Sequence, residues 1–141
     1  NLKDLDSLSR EAAKVAEAFV NRYYRSMDSS RHKVHMLYSG DARIIWNGNT
    51  IENNEQISQF FTSRIPSSSF TVEAYDSVPL NESGPNPGAM QTGIGLKKVS
   101  VSVLGSVKYK SNPGRTFHHT FIIGVDDYNW KIESESFRFG D

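Results

Sequence analysis

The chain contains no cysteine, which removes disulfides, thiolate nucleophiles and cysteine-based zinc sites together and suits a reducing compartment. It also lacks an excess of either charge. Sixteen Lys+Arg balance sixteen Asp+Glu, and a freestanding nucleic-acid binder needs a cationic field strong enough to displace counterions. That role is disfavoured, leaving room only for a local patch. Long apolar runs are missing too: the longest, Phe121-Ile122-Ile123 extended past Gly124 to Val125, falls far short of the roughly 20 residues a spanning helix needs. Asn1-Leu2-Lys3-Asp4-Leu5-Asp6 has no apolar stretch of the secretory kind. The expectation is a soluble protein that does not enter membranes.

What is present fits one domain over residues 1–141. A chain of this size buries roughly 68–70 % of its unfolded surface, and 37 % hydrophobic residues with eight Phe, six Tyr and two Trp can supply a core. No metal staple is required.

Leu5, Leu8, Ala12, Val15, Phe19, Tyr23 and Met27 recur at steps of three and four and predict an amphipathic helix, with Ser7 or Ser9 as its cap. A second, short helix from Ser29 or Ser30 turns Val34 and Leu37 inward before Gly40 stops it. Arg25, Arg31, His32 and Lys33 make that neighbourhood basic, which reads as a solvated helix face. Ala42–Trp46 predicts a strand, Asn47-Gly48 a tight turn, and Asn49–Ile51 the return strand. A third helix spans about Asn54 to Arg64 with Ile57, Phe60 and Phe61 inward, and Pro66 closes it.

From Ser69 onward the period changes to two. Strands are expected at about Ser69–Val78, Lys97–Tyr109, Thr116–Val125 and Asn129–Phe139, with a Gly, Pro and Asn-rich loop at Asn81–Gln91. Helices followed by long strands indicate an α+β architecture with the helices on one sheet face. Alternation sets Val99, Val101 and Val103 against Ser100, Ser102 and Leu104, and sets Phe117, His119, Phe121 and Ile123 against His118, Thr120 and Ile122. With Phe137 and Phe139 facing the core, Ser136 and Arg138 join the second face, provided no bulge intervenes. That face is semi-polar, as a wet interface or plain solvent exposure would be.

Chemistry-bearing motifs are sparse. His118 and His119 point to opposite sides of a strand and cannot share a metal. His32 and His35 could meet on a helix, but no third ligand follows at a suitable spacing. His119 reads as a hydrogen-bonded core histidine, and Asp126-Asp127 as turn chemistry. Gly93-Ile94-Gly95 lacks the context of a dinucleotide site, so no cofactor is expected. Asn81-Glu82-Ser83 is a glycosylation sequon by chance.

Ala18-Phe19-Val20-Asn21-Arg22-Tyr23-Tyr24, Ile45-Trp46-Asn47-Gly48-Asn49, Ile57-Ser58-Gln59-Phe60-Phe61, Trp130-Lys131-Ile132 and Phe137-Arg138-Phe139, in this order, resemble the nuclear transport factor 2-like superfamily. The resemblance covers nearly the whole chain. Within the superfamily the chain resembles the export-related members, the small partner subunits of TAP-type mRNA export receptors. This implies a cone of three N-terminal helices packed in a strongly curved antiparallel sheet. It also implies a noncatalytic adaptor that heterodimerises with the nuclear transport factor 2-like domain of such a receptor, meets nucleoporins and mRNA mainly through it, and shuttles between nucleus and cytoplasm. The implied interface comprises Arg138, Ser136, Ser134, His118, Thr120, Ile122, Ser100, Ser102 and Leu104, with Arg138 pairing with a receptor aspartate. Ser102, Thr120 and Ser136 match bulky apolar positions of the homodimeric import factor. Asn47, Lys110 and Asn112 stand where that factor has the acidic residues that bind Ran-GDP, so those charges are lost and one is reversed; this disfavours the alternative reading, a homodimeric carrier for nuclear import of Ran-GDP. Trp46 reads as a core or rim aromatic rather than a phenylalanine-glycine repeat site. A cone-pocket isomerase or dehydratase is the enzymatic rival; it would use His119 with Tyr23 or Tyr24, and no carboxylate is evident beside them.

Overall fold

The computed structural model describes residues 2–81 and 95–140. Helix α1 (Leu2–Ser29) buries Leu8, Ala12, Ala16, Phe19, Val20, Tyr23, Tyr24 and Met27 along one stripe. It begins well before Ser7 and Ser9, so neither serine caps it. Nothing in Leu2-Lys3-Asp4-Leu5-Asp6 breaks a helix, Asp4 suits the positive end of the dipole, and Arg10 pairs with Asp6 one turn back. The price is exposure: Leu2 and Leu5 lie outside the core. The short second helix, Arg31–Leu37, is 3₁₀ rather than α, and Val34 and Leu37 are buried as expected.

Gly40 does not end that helix. It lies inside β1 (Tyr38–Trp46), four residues earlier than the predicted strand start, in the stretch where pairing is irregular between Tyr38 and Arg43. Strand β2 (Asn49–Glu52) returns through Asn47-Gly48, both at positive φ. Helix α2 (Asn54–Gln59) continues into a π-helical turn, Phe60–Arg64. Its start is capped reciprocally: Asn53 accepts from the Gln56 amide, and the Gln56 side chain accepts from the Glu52 amide.

Strands β3 (Ser68–Pro79), β4 (Lys98–Tyr109), β5 (Arg115–Asp126) and β6 (Asn129–Phe139) follow. Of the expected loop at Asn81–Gln91, only Asn81 lies among the described residues, and Gly93 and Ile94 also lie outside them. The six-stranded sheet has the order β2-β1-β6-β5-β4-β3. An all-antiparallel sheet is corrected in one place, because β1 and β6 run parallel. The chain between them passes through α2 and the β3-β4-β5 meander, long enough to return β6 beside β1 in the same direction. The helices are likewise not all N-terminal, since α2 follows the β1–β2 hairpin.

The helices and the inner sheet face enclose one cluster that includes Tyr23, Phe61, Phe117, Phe121, Ile123, Ile132 and Phe137. Trp46 is core: its ring stacks on Phe137 at 3.9 Å and 9°. Arg31 leaves the proposed basic face. Its guanidinium donates to the carbonyls of Met27, Phe61, Ile65 and Pro66 and to Ser68 Oγ, tying α1, the π turn and β3 together.

Candidate partner interface

The nine residues expected on the open face form three rows of three across β6, β5 and β4. Ser134 opposes Ile122, which opposes Ser100; Ser136, Thr120 and Ser102 form the next row, and Arg138, His118 and Leu104 the third. A bulge does intervene. Pairing shifts between Ile122 and Ile123 because Glu133 is extra on β6, but it lies before Ser134 and leaves the alternation from Ser134 to Arg138 intact.

The parallel partner β1 widens the face. Arg43 sits beside Ser134 and Ile45 beside Ser136, and these two residues escaped the sequence reading. Alternation with buried Ile44 and Trp46 carried the signal for Ile45; its placement next to Ser136 needed the β1–β6 pairing. On the other side, β3 adds Asp76 beside Ser102 and Val78 beside Ser100. Ile45, Leu104 and Val78 are 43 %, 45 % and 49 % exposed.

Small side chains at the centre leave a hollow of about 270 Å³ bordered by Arg43, Ile45, Thr120, Ile122, Ser134 and Ser136. Arg43 is held at its rim by Glu52, with Nη2 2.8 Å from Oε1. Arg138 is exposed and forms no ion pair among the described residues. The arrangement is a shallow, hydroxyl-lined socket with apolar edges and a free guanidinium at one end. It can receive a bulky side chain and a carboxylate, the latter through two parallel N–H donors.

Directly behind this face lies a buried polar cluster. Tyr23 Oη donates to Glu135 Oε2 at 2.9 Å, Tyr38 Oη donates to Oε1, and His119 Nε2 lies 2.5 Å from Oε2. Tyr24 Oη donates to His119 Nδ1 at 2.8 Å. Burial, opposed by Glu135, holds His119 below its ordinary pKa, which fits a neutral ring with its proton on Nε2. Burial and then Glu135 push the phenols of Tyr23, Tyr24 and Tyr38 well above theirs. Every polar atom named here has a partner.

The carboxylate found missing beside His119 is therefore Glu135. Its signal was legible, since Ser134 and Ser136 outward require Glu135 inward. The cluster nevertheless offers no reaction site: the side chains of His119 and Glu135 are both fully inaccessible, and Glu135 borders the outer hollow only through its main chain.

The other singled-out residues stay apart from this face. Asn47 accepts from the Phe139 amide. Lys110, like Asp127, is a turn residue at positive φ. Asn81 is buried, its amide donating to the Gly95 carbonyl. No group of three or more His, Asp or Glu arranged to hold a metal occurs among the described residues.

Comparison with known proteins shows the family to which this fold belongs. Residues 15–139 match the nuclear transport factor 2 (NTF2) domain. The chain is 36 % identical to NTF2-related export protein 1 of Bos taurus, over 98 % of this chain and 95 % of that one. It is 34 % identical to NTF2-related export protein 2 of Homo sapiens, over 98 % and 94 %. The nuclear transport factor 2 structure from Cryptosporidium parvum superposes with a TM-score of 0.74 at 18 % identity, covering 94 % of this chain and 98 % of that one, a likeness of fold alone. The chain belongs to the nuclear transport factor 2 family.

Proposed function

We propose that this chain is a noncatalytic adaptor in nuclear export, acting as the small subunit of a heterodimer with the nuclear transport factor 2-like domain of a TAP-type mRNA export receptor. The observation that carries this reading is the three-by-three face with its hollow. An isologous homodimer would bring the same small hydroxyls of Ser102, Thr120 and Ser136 face to face and leave gaps. A different partner with larger side chains fills them, and discrimination between the two follows from that mismatch.

Arg138 supplies direction, because a partner carboxylate reaching it takes a bidentate pair at the edge of a semi-polar contact. Names of the relatives as export proteins support the cellular role. Nucleoporins and mRNA are then met mainly through the receptor, and the complex shuttles through the pore between nucleus and cytoplasm. The neutral balance of the chain fits a subunit whose partner supplies the field for RNA.

Copurification of such a receptor domain with wild type and with Arg138→Glu tests the reading. Capture by wild type and at least tenfold weaker capture by the variant, about 1.4 kcal/mol, is expected. Equal capture removes Arg138 from the interface, and failure of wild type to bind overturns the heterodimer.

A further inference from the structure

Burial separates the six tyrosines of the chain. Tyr23, Tyr24 and Tyr38 lie in the core, and Tyr109 packs partly buried against it. Tyr75 is 41 % exposed but is held within β3, opposite Val103 of β4. Tyr128 stands apart at 96 % exposed. It occupies the tip of the β5–β6 hairpin, where Asp126 pairs with Asn129 and Asp127 takes positive φ. Every residue from Asp126 to Asn129 is exposed, so opening this tip uncovers no core side chain. The phenol therefore follows two carboxylates in a segment that an enzyme can draw into an extended conformation at little cost to the fold.

The helix opposite carries charge of one sign. Lys14 and Arg22 of α1 line, together with Tyr128, a groove of about 350 Å³ between helix and hairpin. Both cations are exposed, and neither forms an ion pair among the described residues. They lie about two helical turns apart, about 12 Å along the axis, so a charge placed between them is within about one Debye length of each. A neutral phenol makes no use of this field. Asp126 and Asp127 sit in the adjoining turn but do not line the groove, and Lys131, on the same hairpin, is occupied by the Met36 carbonyl.

We propose that Tyr128 is a phosphorylation site for a tyrosine kinase that selects acidic residues just before its target, and that the phosphate is then held in the field of Lys14 and Arg22, fastening the hairpin tip to α1. In the transfer, Tyr128 Oη attacks the γ-phosphorus of ATP. A P–O bond forms, the bond from that phosphorus to the β,γ-bridging oxygen breaks, ADP leaves with the bonding pair, and the phenolic proton passes to the carboxylate base of the kinase. The added group carries about −1.5 to −2 charges at about pH 7 and three acceptor oxygens. Asp126 and Asp127 repel it from the turn while the two cations attract it from the helix, so both effects direct it the same way. The outer sheet face takes no part, and the inference stands independently of the partner proposed for that face.

The test treats the full chain with ATP and the purified catalytic domain of an acid-directed tyrosine kinase, alongside a free peptide of residues 123–133. Mass spectrometry is expected to find phosphate on Tyr128 of the chain, with Tyr75 modified about tenfold or more slowly and Tyr23, Tyr24 and Tyr38 left unmodified. Tyr128→Phe is expected to remove the main product. By ³¹P titration, the second ionisation of the phosphate on the chain is expected about 0.5 pH units below that on the phosphopeptide, which carries the same two aspartates, because nearby cations favour the dianion. Lys14→Gln with Arg22→Gln is expected to restore the peptide value, and about 500 mM salt to narrow the difference. Phosphate on the peptide but not on the folded chain overturns the site, as does faster transfer to Tyr75. A peptide that the kinase leaves unmodified overturns the assignment to this kinase class. A titration equal to that of the peptide, or one unmoved by the double variant, overturns the contact with α1.

Discussion

His119 and Glu135 meet at 2.5 Å in a part of the core where both side chains are fully inaccessible, and the stability of the chain should depend on pH through this contact. Burial lowers the His119 pKa, so the unfolded chain binds the extra proton first. Stability is present above the unfolded value of about 6.5 and is lost as pH falls below it. Urea midpoints measured from about pH 7.5 down to about pH 5 should fall for wild type and fall less for His119→Gln; identical slopes would contradict a neutral buried ring. The phenols carry the opposite sign. Their raised values place stability below about pH 10 and remove it above. Glu135→Leu, which orphans three donors, should cost about 3 kcal/mol or more at neutral pH.

Arg31 should be a structural residue despite its basic neighbours. Its guanidinium holds four main-chain carbonyls, from Met27 to Pro66. Arg31→Ala should destabilise by about 3 kcal/mol, since hydrogen bonds to a charged group contribute about 1.5–3 each and do not add fully. Arg31→Lys should recover little, because one ammonium cannot span the acceptors. Chemical denaturation of both variants decides this, and a near-wild-type Lys variant would show that charge alone suffices.

Two glycines facing the same substitution should behave differently. A Cβ on Gly105 would lie 2.2 Å from the Thr71 carbonyl oxygen and 3.0 Å from the Phe117 ring, both fixed by the sheet and core. Gly105→Ala should therefore cost about 2 kcal/mol or more. At Gly124 the obstruction is the end of the Glu133 side chain, which can swing away at the loss of its half-buried pair with Lys98. Melting curves should separate the two variants by several degrees, and equal losses would contradict the difference in rigidity.

Ile45 tests the breadth of the proposed interface. It is 43 % exposed beside Ser136, so Ile45→Asp should leave the fold within about 0.5 kcal/mol. Capture of the receptor domain should fall at least tenfold, because a charge is then buried without a partner. Unchanged capture would confine the contact to β4, β5 and β6.

Periodicity made much of this legible. Steps of three and four located α1, and alternation located four long strands to within a few residues. The same alternation put Ser100, Ser102, His118, Thr120, Ile122, Ser136 and Arg138 on one face, because side-chain parity along a strand is a local property of the backbone. What parity could not supply was the neighbour of each strand. Arg43 and Ile45 join the face only because β1 runs parallel to β6, and Ser134 keeps its place only because the bulge falls at Glu133, one residue earlier.

Buried chemistry divides in the same way. Glu135 inward follows from Phe137 inward, but its three donors come from residues 23, 38 and 119, on α1, β1 and β5. Arg31 reads as surface charge until residues 61–68 fold back over it. Local patterns fix which way a side chain points, since that depends on φ and ψ alone; what it then touches depends on chain segments far away in sequence, and packing brings those together.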